Sequence, residues 1–213
     1  MRFTRILVLF FFLMLSFTWL FSSGAWKKLK AGRAASSPVE YDLSRTTYKK
    51  LQQKAVDAKN FIRQKGFNRS VCFMIDMSLH SGQGRFFVYD LVKDTAINTG
   101  LVTHGRCNQN WLEGRKYGNS VGCGCTSLGK YQLGRAYTGK FGLAYKLHGL
   151  DSTNNNAFKR YVVLHSHECV PETDVKDEIC QSDGCPTVSP GFLQYLKPII
   201  NTSKKPVLLW IYE

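Results

Sequence analysis

Residues 160–166 have the sequence Arg-Tyr-Val-Val-Leu-His-Ser, an apolar run that ends in two polar residues. Such a run is typical of a buried β-strand that presents a histidine at its end. Six further runs of this kind occur along the chain, separated by clusters of Gly, Asn and Ser. Several short strands with turn residues between them favour an antiparallel sandwich or a partly closed barrel over alternating β-α units. The other six runs are residues 71–77, 85–92, 96–103, 130–137, 142–148 and 207–212.

Two helices are predicted outside these runs. Ser44 is placed to cap a helix whose apolar positions, from Tyr48 to Ile62, recur in steps of three and four, and Gly66 is placed to end it. A second, short helix is predicted after Ser189-Pro190, with serine as the cap and proline at the first helical position. The sequence therefore predicts a mainly β, α+β fold with one N-terminal amphipathic helix and one short helix near the C-terminus.

A thiol follows the histidine after a short excursion of the chain. The segment Ser-Asp-Gly-Cys-Pro, residues 182–186, lies downstream of the predicted strand that ends near His165. A thiol with its ordinary pKa of about 8.5 is mostly protonated at neutral pH, so an imidazole that takes the proton produces a nucleophilic thiolate. Gly184 fits a tight turn that exposes the sulfur and leaves backbone N–H groups free to face an oxyanion. We expect Cys185 and His165 to act as nucleophile and base.

The pattern of His165 followed by Ser182, Gly184 and Cys185 resembles the signature of the YkuD-like L,D-transpeptidases. The chain resembles in particular a Gram-negative branch, the murein L,D-transpeptidase catalytic domain proteins. This resemblance covers nearly the whole domain, about residues 40–212. The stretches that carry it are residues 73–76, 85–90, 104–105, 127–131, 139–142 and 147–150, then Asn155, Ala157 and Arg160, and finally residues 164–165 and 184–186.

The resemblance implies a catalytic domain over residues 40–213 whose Cys185 attacks the amide before the terminal D-residue of a peptidoglycan stem tetrapeptide. An acyl-enzyme forms, and an amine then takes the acyl group in cross-linking or D-residue exchange. Transfer to water instead makes the protein an L,D-carboxypeptidase. In such a site His165 is the general base, the main-chain carbonyl of Ser166 orients its imidazole, and the N–H groups of Gly184 and Cys185 form the oxyanion hole. This chemistry needs no metal or other cofactor.

Four more residues are implied as substrate contacts: Ser182, Asp183, His104 and Gly105. His104-Gly105 stands where a predicted strand ends, and in the resembling branch this pair borders the substrate groove; the alternative is a turn with an exposed imidazole. Asp183 stands where common members of the family have His, and Thr187 where many have Arg. A carboxylate beside the thiol disfavours the thiolate, unless it points away or holds the ammonium group of a diaminopimelate side chain.

The first 25 residues have the order of a secretory signal: two arginines, the apolar run at residues 6–21, and small residues up to Ala25. The run is shorter than the roughly 20 residues of a spanning helix. We therefore predict a cleaved signal peptide over residues 1–25, a membrane anchor through residues 6–26 as the alternative, and a linker over residues 26–39. The domain is expected in the periplasm or cell envelope. The net charge of +14 suits anionic wall polymer or phospholipid headgroups, and without a nucleic-acid-binding motif nucleic acid is not an expected partner.

Seven cysteines in an exported chain predict disulfides, and the odd count leaves at least one thiol free. Cys169 and Cys180 flank an acidic excursion that a disulfide between them would close. Cys123 and Cys125 are too close in sequence to pair easily, so each would bond a distant partner, such as Cys107 or Cys72, or stay a thiol. Zinc sites are the rival interpretation, so a non-catalytic wall-binding domain stabilised by disulfides or zinc is the alternative of a different class. The two ligand sets are His165, His167, Cys169 and Cys180, and His104, Cys107, Cys123 and Cys125.

Overall fold

The structure, a computed structural model, describes residues 44–213. The predicted signal peptide or anchor at residues 1–25, the membrane contact through residues 6–26 and the linker at residues 26–39 all lie outside the described residues. Within residues 44–213, no helix combines the length and the apolar character needed to cross a membrane.

Helix α1, Arg45–Lys65, begins and ends where the sequence predicts. Ser44 Oγ accepts the backbone N–H of Thr47 at 3.2 Å, and Gly66 takes a left-handed φ of 74° while its N–H bonds the carbonyl of Ile62. These contacts satisfy backbone groups that a helix terminus otherwise leaves without partners. The buried face is narrow and consists of Leu51, Ala55, Ala58 and Ile62.

One eight-stranded sheet forms the centre of the domain, in the order β3-β2-β1-β8-β4-β5-β6-β7. Most neighbouring pairs are antiparallel, but β1 and β8 are parallel and so are β6 and β7. The predicted mainly β fold is confirmed, as a single sheet that does not close. The strands are β1 Val71–Asp76, β2 Phe86–Asp90, β3 Thr95–Gly100, β4 Gly129–Gly139, β5 Gly142–Gly149, β6 Val163–Ser166, β7 Thr187–Val188 and β8 Leu208–Tyr212.

A helix covers each face of this sheet. Alternate side chains of β1 point to opposite faces, as the pleat requires, so Phe73 packs in one buried cluster and Met74 in the other. The cluster of Met74 includes α1, and the cluster of Phe73 includes α2, Pro190–Asn201. The second predicted helix is therefore also confirmed, with Ser189 Oγ accepting the N–H of Phe192 at 3.2 Å.

The end of the sheet formed by β5, β6 and β7 holds the predicted histidine and cysteine. His165 of β6 pairs with Ala144 of β5 on one side and with Thr187 of β7 on the other. Because β7 begins two residues after Cys185, this register places the Cys185 loop beside the start of β6. A two-residue strand carries no pattern that sequence could reveal, so β7 and its parallel pairing were not predicted.

Candidate active site

Cys185 lies on a tight loop whose shape depends on glycine at position 184. Gly184 has a φ of 108°, and a Cβ there would lie 2.6 Å from the carbonyl oxygen of Cys125. Ser182 closes the loop, because its hydroxyl donates to the carbonyl of Cys185 at 2.7 Å and accepts the N–H of Gly184 at 3.1 Å. A larger residue at position 184 would clash with Cys125 and strain the backbone. The Ser-x-Gly-Cys spacing therefore builds the loop that presents the thiol.

The sulfur of Cys185 is packed against the backbone at the start of β6. The N–H of Val163 donates to Sγ at 3.5 Å, and Sγ lies 3.8 Å from the carbonyl oxygen of Tyr161. Burial raises the pKa of the Cys185 thiol, while the Val163 N–H and the charge of Arg160 lower it and Asp183 raises it. Burial is the largest of these influences, so the resting thiol is protonated at neutral pH.

The imidazole of His165 is oriented by a hydrogen bond at each nitrogen. Nδ1 lies 3.0 Å from the carbonyl oxygen of Ser166, and Nε2 lies 3.0 Å from Oγ1 of Thr187. A carbonyl oxygen only accepts, so Nδ1 carries the proton and Nε2 accepts from the Thr187 hydroxyl. Burial lowers the pKa of His165, the Ser166 carbonyl raises it, and the nearby His167 lowers it. His165 is therefore a neutral imidazole whose unprotonated Nε2 is engaged by the Thr187 hydroxyl.

Cys185 and His165 line the same groove, a cavity of about 430 Å³. Within residues 44–213 no hydrogen bond joins the imidazole to the sulfur, and Nε2 is bonded to the Thr187 hydroxyl. Catalytic hydrogen bonds of this kind are often long before a substrate binds. Other groove-lining side chains are Thr103, Arg106, Asn110, Trp111, Phe141, His167 and Gln181.

The carboxylate of Asp183 is paired with Arg106. The Arg106 Nε donates to Asp183 Oδ1 at 2.8 Å, and the Asp183 side chain is 72% exposed. Its influence on the thiol pKa is the weakest of those acting there. A pairing with Arg106 was not one of the two arrangements predicted to limit its repulsion of the thiol. Asp183 lies at the mouth of the groove, where a substrate can still reach it.

The sequence predicted that the Gly184 N–H is free to face an oxyanion, but in the structure it donates to the Ser182 hydroxyl. A donor engaged inside the loop is not free to receive an oxyanion without rearrangement. In the described part of the chain, the N–H of Cys185 has no hydrogen-bond partner, so it is the free donor beside the sulfur. Ser182 likewise bonds within the loop rather than facing the groove with an unengaged hydroxyl.

His104 and Gly105 lie beneath the groove and do not line it. His104 is 1% exposed, so neither an exposed turn nor a direct side-chain contact with substrate fits its position. Its carbonyl accepts the N–H of Ser182 at 2.9 Å, and the N–H of Gly105 bonds Thr126. Gly105 forms a bridge with Ser182 of the Cys185 loop, and the imidazole of His104 is turned inward.

The buried imidazole of His104 is enclosed by arginines. Arg85 Nη2 lies 3.3 Å from Nδ1, and Arg115 Nη1 lies 3.5 Å from Nε2. Burial and the positive charges of Arg115 and Arg85 lower the pKa of His104 to about 4. Glu178 balances this charge by accepting from Arg115 at 2.9 Å. The cluster supports the segment whose carbonyl accepts the N–H of Ser182, with a neutral His104.

Three side chains at this site were not assigned roles from the sequence. Arg160 donates from Nη1 to Gly118 O and Ser127 Oγ, both at 2.9 Å, and from Nη2 to Cys125 O. It therefore supports the backbone against which Gly184 packs, and its charge lowers the thiol pKa. Its place among the residues that carry the family resemblance was the only available signal. Thr187 and Phe141 contact His165 directly. Phe141 lies within residues 139–142, which also carry the resemblance, and Thr187 was noted only as a departure from the family pattern.

Two disulfides are present, and one confirms a predicted pair. Cys169 and Cys180 are bonded and line the groove, and Cys107 bonds Cys125. Because these four sulfurs are bonded in disulfides, neither predicted zinc site keeps its full set of thiolate ligands. Among the described residues no group of His, Cys, Asp or Glu side chains has the arrangement of a metal site. The free thiols there are Cys72, which is buried, Cys123 and Cys185.

A thiol and an imidazole that share one groove, with the imidazole held by a backbone carbonyl, form the arrangement used by enzymes with Cys-His pairs. The model of the L,D-transpeptidase catalytic domain family matches residues 43–212. The chain belongs to this family. A comparison with curated proteins found no match.

Three solved structures with limited similarity to this chain illustrate the comparison. An L,D-transpeptidase from Mycobacterium tuberculosis shares 13% identity with a TM-score of 0.43, over 68% of this chain and 58% of that one. The L,D-transpeptidase LdtMt1 in complex with imipenem shares 11% identity with a TM-score of 0.41, over 67% and 59%. The helical cell shape determining protein Pgp2 from Campylobacter jejuni shares 13% identity with a TM-score of 0.41, over 78% and 55%. This chain therefore spans less than two thirds of the length of each.

Proposed function

We propose that this chain is a peptidoglycan L,D-transpeptidase that acts on stem tetrapeptides through an acyl-enzyme on Cys185. Family membership supports the class of enzyme, and one geometric observation supports the assignment of residues. Cys185 and His165 line one groove, and the Ser166 carbonyl holds the imidazole with its Nε2 unprotonated. The proposed partners are peptidoglycan stem peptides.

The proposed reaction begins with proton transfer from the Cys185 thiol to Nε2 of His165, which first gives up its hydrogen bond to Thr187. The thiolate attacks the carbonyl carbon of the amide before the terminal D-residue, and the carbonyl oxygen becomes an oxyanion. We assign the N–H of Cys185 as the first donor to this oxyanion, because it is free, whereas the Gly184 N–H must first leave Ser182.

Collapse of the intermediate breaks the C–N bond, and His165 returns its proton to the departing amine of the D-residue. A thioester between Cys185 and the remaining stem is left. An amine from a second stem, or a free D-amino acid, then attacks the thioester and releases the thiol. The Ser166 carbonyl bonds the Nδ1–H in both protonation states of the imidazole, so His165 keeps its orientation through the cycle.

We also propose that the protein works outside the cytoplasm, in the periplasm or cell envelope. Peptidoglycan lies there, and two disulfides in the described residues are consistent with an oxidising compartment. An oxidising compartment also matters for the groove, because the Cys169–Cys180 disulfide forms part of its wall.

The test is an incubation of the full-length chain with tetrapeptide muropeptides, followed by mass spectrometry of the products. We expect dimers linked through the third residues of two stems, and a loss of at least about 10³-fold in Cys185→Ala. Cys123→Ala is the matched control, because Cys123 is also a free, partly exposed thiol but does not line the groove. Its products should equal those of the wild-type chain.

Each outcome has a definite meaning. Tripeptides without dimers would assign the acyl acceptor as water and overturn transpeptidation. Identical products from wild type and Cys185→Ala would overturn the enzymatic proposal altogether. An intact-mass shift after treatment with a carbapenem, absent in Cys185→Ala and present in Cys123→Ala, is the expected companion result.

A further inference from the structure

The hairpin that joins β4 and β5 places an aromatic ring directly on the imidazole of His165. Its turn consists of Lys140 and Phe141, between the paired residues Gly139 and Gly142. The outer half of β4 is exposed, so this tip extends beyond the packed core. Phe141 is 49% exposed and lines the groove.

The contact has the geometry of a stack. The ring centroids of Phe141 and His165 are 4.9 Å apart, and their planes differ by 16°. The same phenyl ring meets His167 edge-on, at 5.7 Å and 76°. Phe141 therefore packs between two imidazoles, one of which is the proposed base.

The turn itself does not explain a phenylalanine at this position. Two-residue hairpin turns favour Asn-Gly, Asp-Gly or Gly-containing pairs, and a half-exposed aromatic side chain gains little from burial. The left-handed backbone conformation here is taken by Gly142, with a φ of 80°. The side chain of Phe141 thus has its main described contacts in the groove, and those contacts are with the two histidines.

The stack supplies a restraint that the hydrogen bonds of His165 lack. The Ser166 carbonyl and the Thr187 hydroxyl act at the ring edge and fix the directions of Nδ1 and Nε2. Neither covers the face of the ring. A phenyl ring on that face limits tilting of the imidazole and keeps water away from it.

We propose that Phe141 is a positioning residue that holds the His165 imidazole and shields one of its faces. The inference rests on the proposed function, in which His165 is the base. It assigns a role to the hairpin tip, which lies outside the Cys-His motif and reaches the base from the neighbouring strand β5.

Two opposing electrostatic effects follow from this contact. A phenyl face attracts a cation and so favours the imidazolium, whereas exclusion of water favours the neutral ring. Burial is the largest influence on the pKa of His165 and lowers it. Removal of Phe141 should therefore raise this pKa toward its ordinary value. The titratable and charged groups around the imidazole are His167 on its own strand end, Cys185, Asp183 and Arg106 across the groove, and Lys140 on the hairpin.

The chain contains a matched control for this test. Phe158 stacks on His148 with centroids 5.1 Å apart and planes differing by 14°, and it is 52% exposed. This second stack has nearly the same geometry as the first but lies outside the groove lining. Phe158→Ala therefore removes an equivalent Phe-His contact without touching His165.

The experiment compares the full-length wild type with Phe141→Ala, Phe141→Trp and Phe158→Ala. The first measurement is the pKa of His165, from the pH dependence of its ring proton signals in NMR. The second is the pH profile of Cys185 acylation by a carbapenem. In Phe141→Ala we expect a higher His165 pKa, an acidic limb moved to higher pH, and acylation about 10- to 100-fold slower near pH 6. Phe141→Trp should restore both, and Phe158→Ala should change neither.

The outcomes separate this inference from the proposed function. An unchanged His165 pKa and an unchanged profile in Phe141→Ala would overturn the role of Phe141. Equal changes in Phe141→Ala and Phe158→Ala would also overturn it, because the effect would then be a general loss of structure. A wild-type chain in which Cys185 is never acylated, but whose His165 pKa still responds to Phe141→Ala, would refute the proposed function and support the stacking role.

Discussion

Replacement of Arg160 by Met should lower the stability of the fold and also reduce the reactivity of the Cys185 thiol. Arg160 makes three hydrogen bonds from one guanidinium, to Gly118 O, Ser127 Oγ and Cys125 O. Methionine keeps much of the apolar stem but removes the charge and all five donors. Ser127 Oγ keeps a partner in Tyr131, so two backbone carbonyls bear the larger loss.

The magnitude follows from these three bonds. Hydrogen bonds from charged donors contribute about 1.5–3 kcal/mol each, and bonds that share one side chain are not additive, so we expect a loss of about 3–4 kcal/mol. For a domain of this size such a loss lowers Tm by roughly 10 °C. Because the charge of Arg160 lowers the pKa of the Cys185 thiol, its removal should raise that pKa further and slow alkylation at neutral pH.

The assay combines thermal unfolding of the full-length chain with the rate of iodoacetamide labelling of Cys185 at pH 7.5. Arg160→Lys separates the two effects, because it keeps the charge but loses the two-pronged geometry: stability should fall while labelling stays near the wild-type rate. Lys159→Met is the control, since it removes a neighbouring exposed charge. If Arg160→Met unfolds at the same temperature as Lys159→Met, or labels at the wild-type rate, the reasoning is refuted.

Two further predictions concern charges near the loop. Asp183→Asn should lower the pKa of Cys185 and speed its labelling at neutral pH by less than about tenfold, because Asp183 is exposed and paired with Arg106; slower labelling would contradict this assignment. Stability should fall as pH drops from about 6.5 to about 4, by up to about 3 kcal/mol, because the folded state binds a proton at His104 less readily than the unfolded chain does. Urea unfolding at pH 7, 6 and 5 tests this, and His104→Gln should show a shallower pH dependence than wild type.

The parts of the fold that local chemistry determines were predictable. Ser44 caps the start of α1, Gly66 caps its end, and Ser189-Pro190 begins α2. These positions were predictable because caps and a first-turn proline act through neighbouring backbone groups. Strand positions followed from short apolar runs in the same way. The parallel pairing of β6 with β7 was not predictable, because β7 has two residues and its register depends on the Cys185 loop.

The candidate site also has features that the sequence could predict and features that it could not. The pairing of His165 with Cys185 could be inferred from residue types, spacing and family resemblance. The burial of His104 could not, because it depends on Arg85 and Arg115, which approach it only through the fold. The Gly184 N–H was predicted to be free because sequence does not show that the Ser182 hydroxyl folds back onto it.

The resting charge state of the site follows from two shifts that oppose an ion pair. Burial raises the pKa of Cys185 and lowers that of His165, so both groups are neutral when the groove is empty. A thiolate is the form that attacks disulfides, and the Cys169–Cys180 disulfide lines the same groove. A neutral thiol therefore limits exchange with its own groove wall. In the proposed mechanism, proton transfer is driven by the bound acyl donor, because the oxyanion that forms on its carbonyl oxygen accepts from the Cys185 N–H. In this proposal, formation of the nucleophile is coupled to substrate binding. Arg160 and, as proposed above, Phe141 influence the pKa values that determine how readily the thiolate forms.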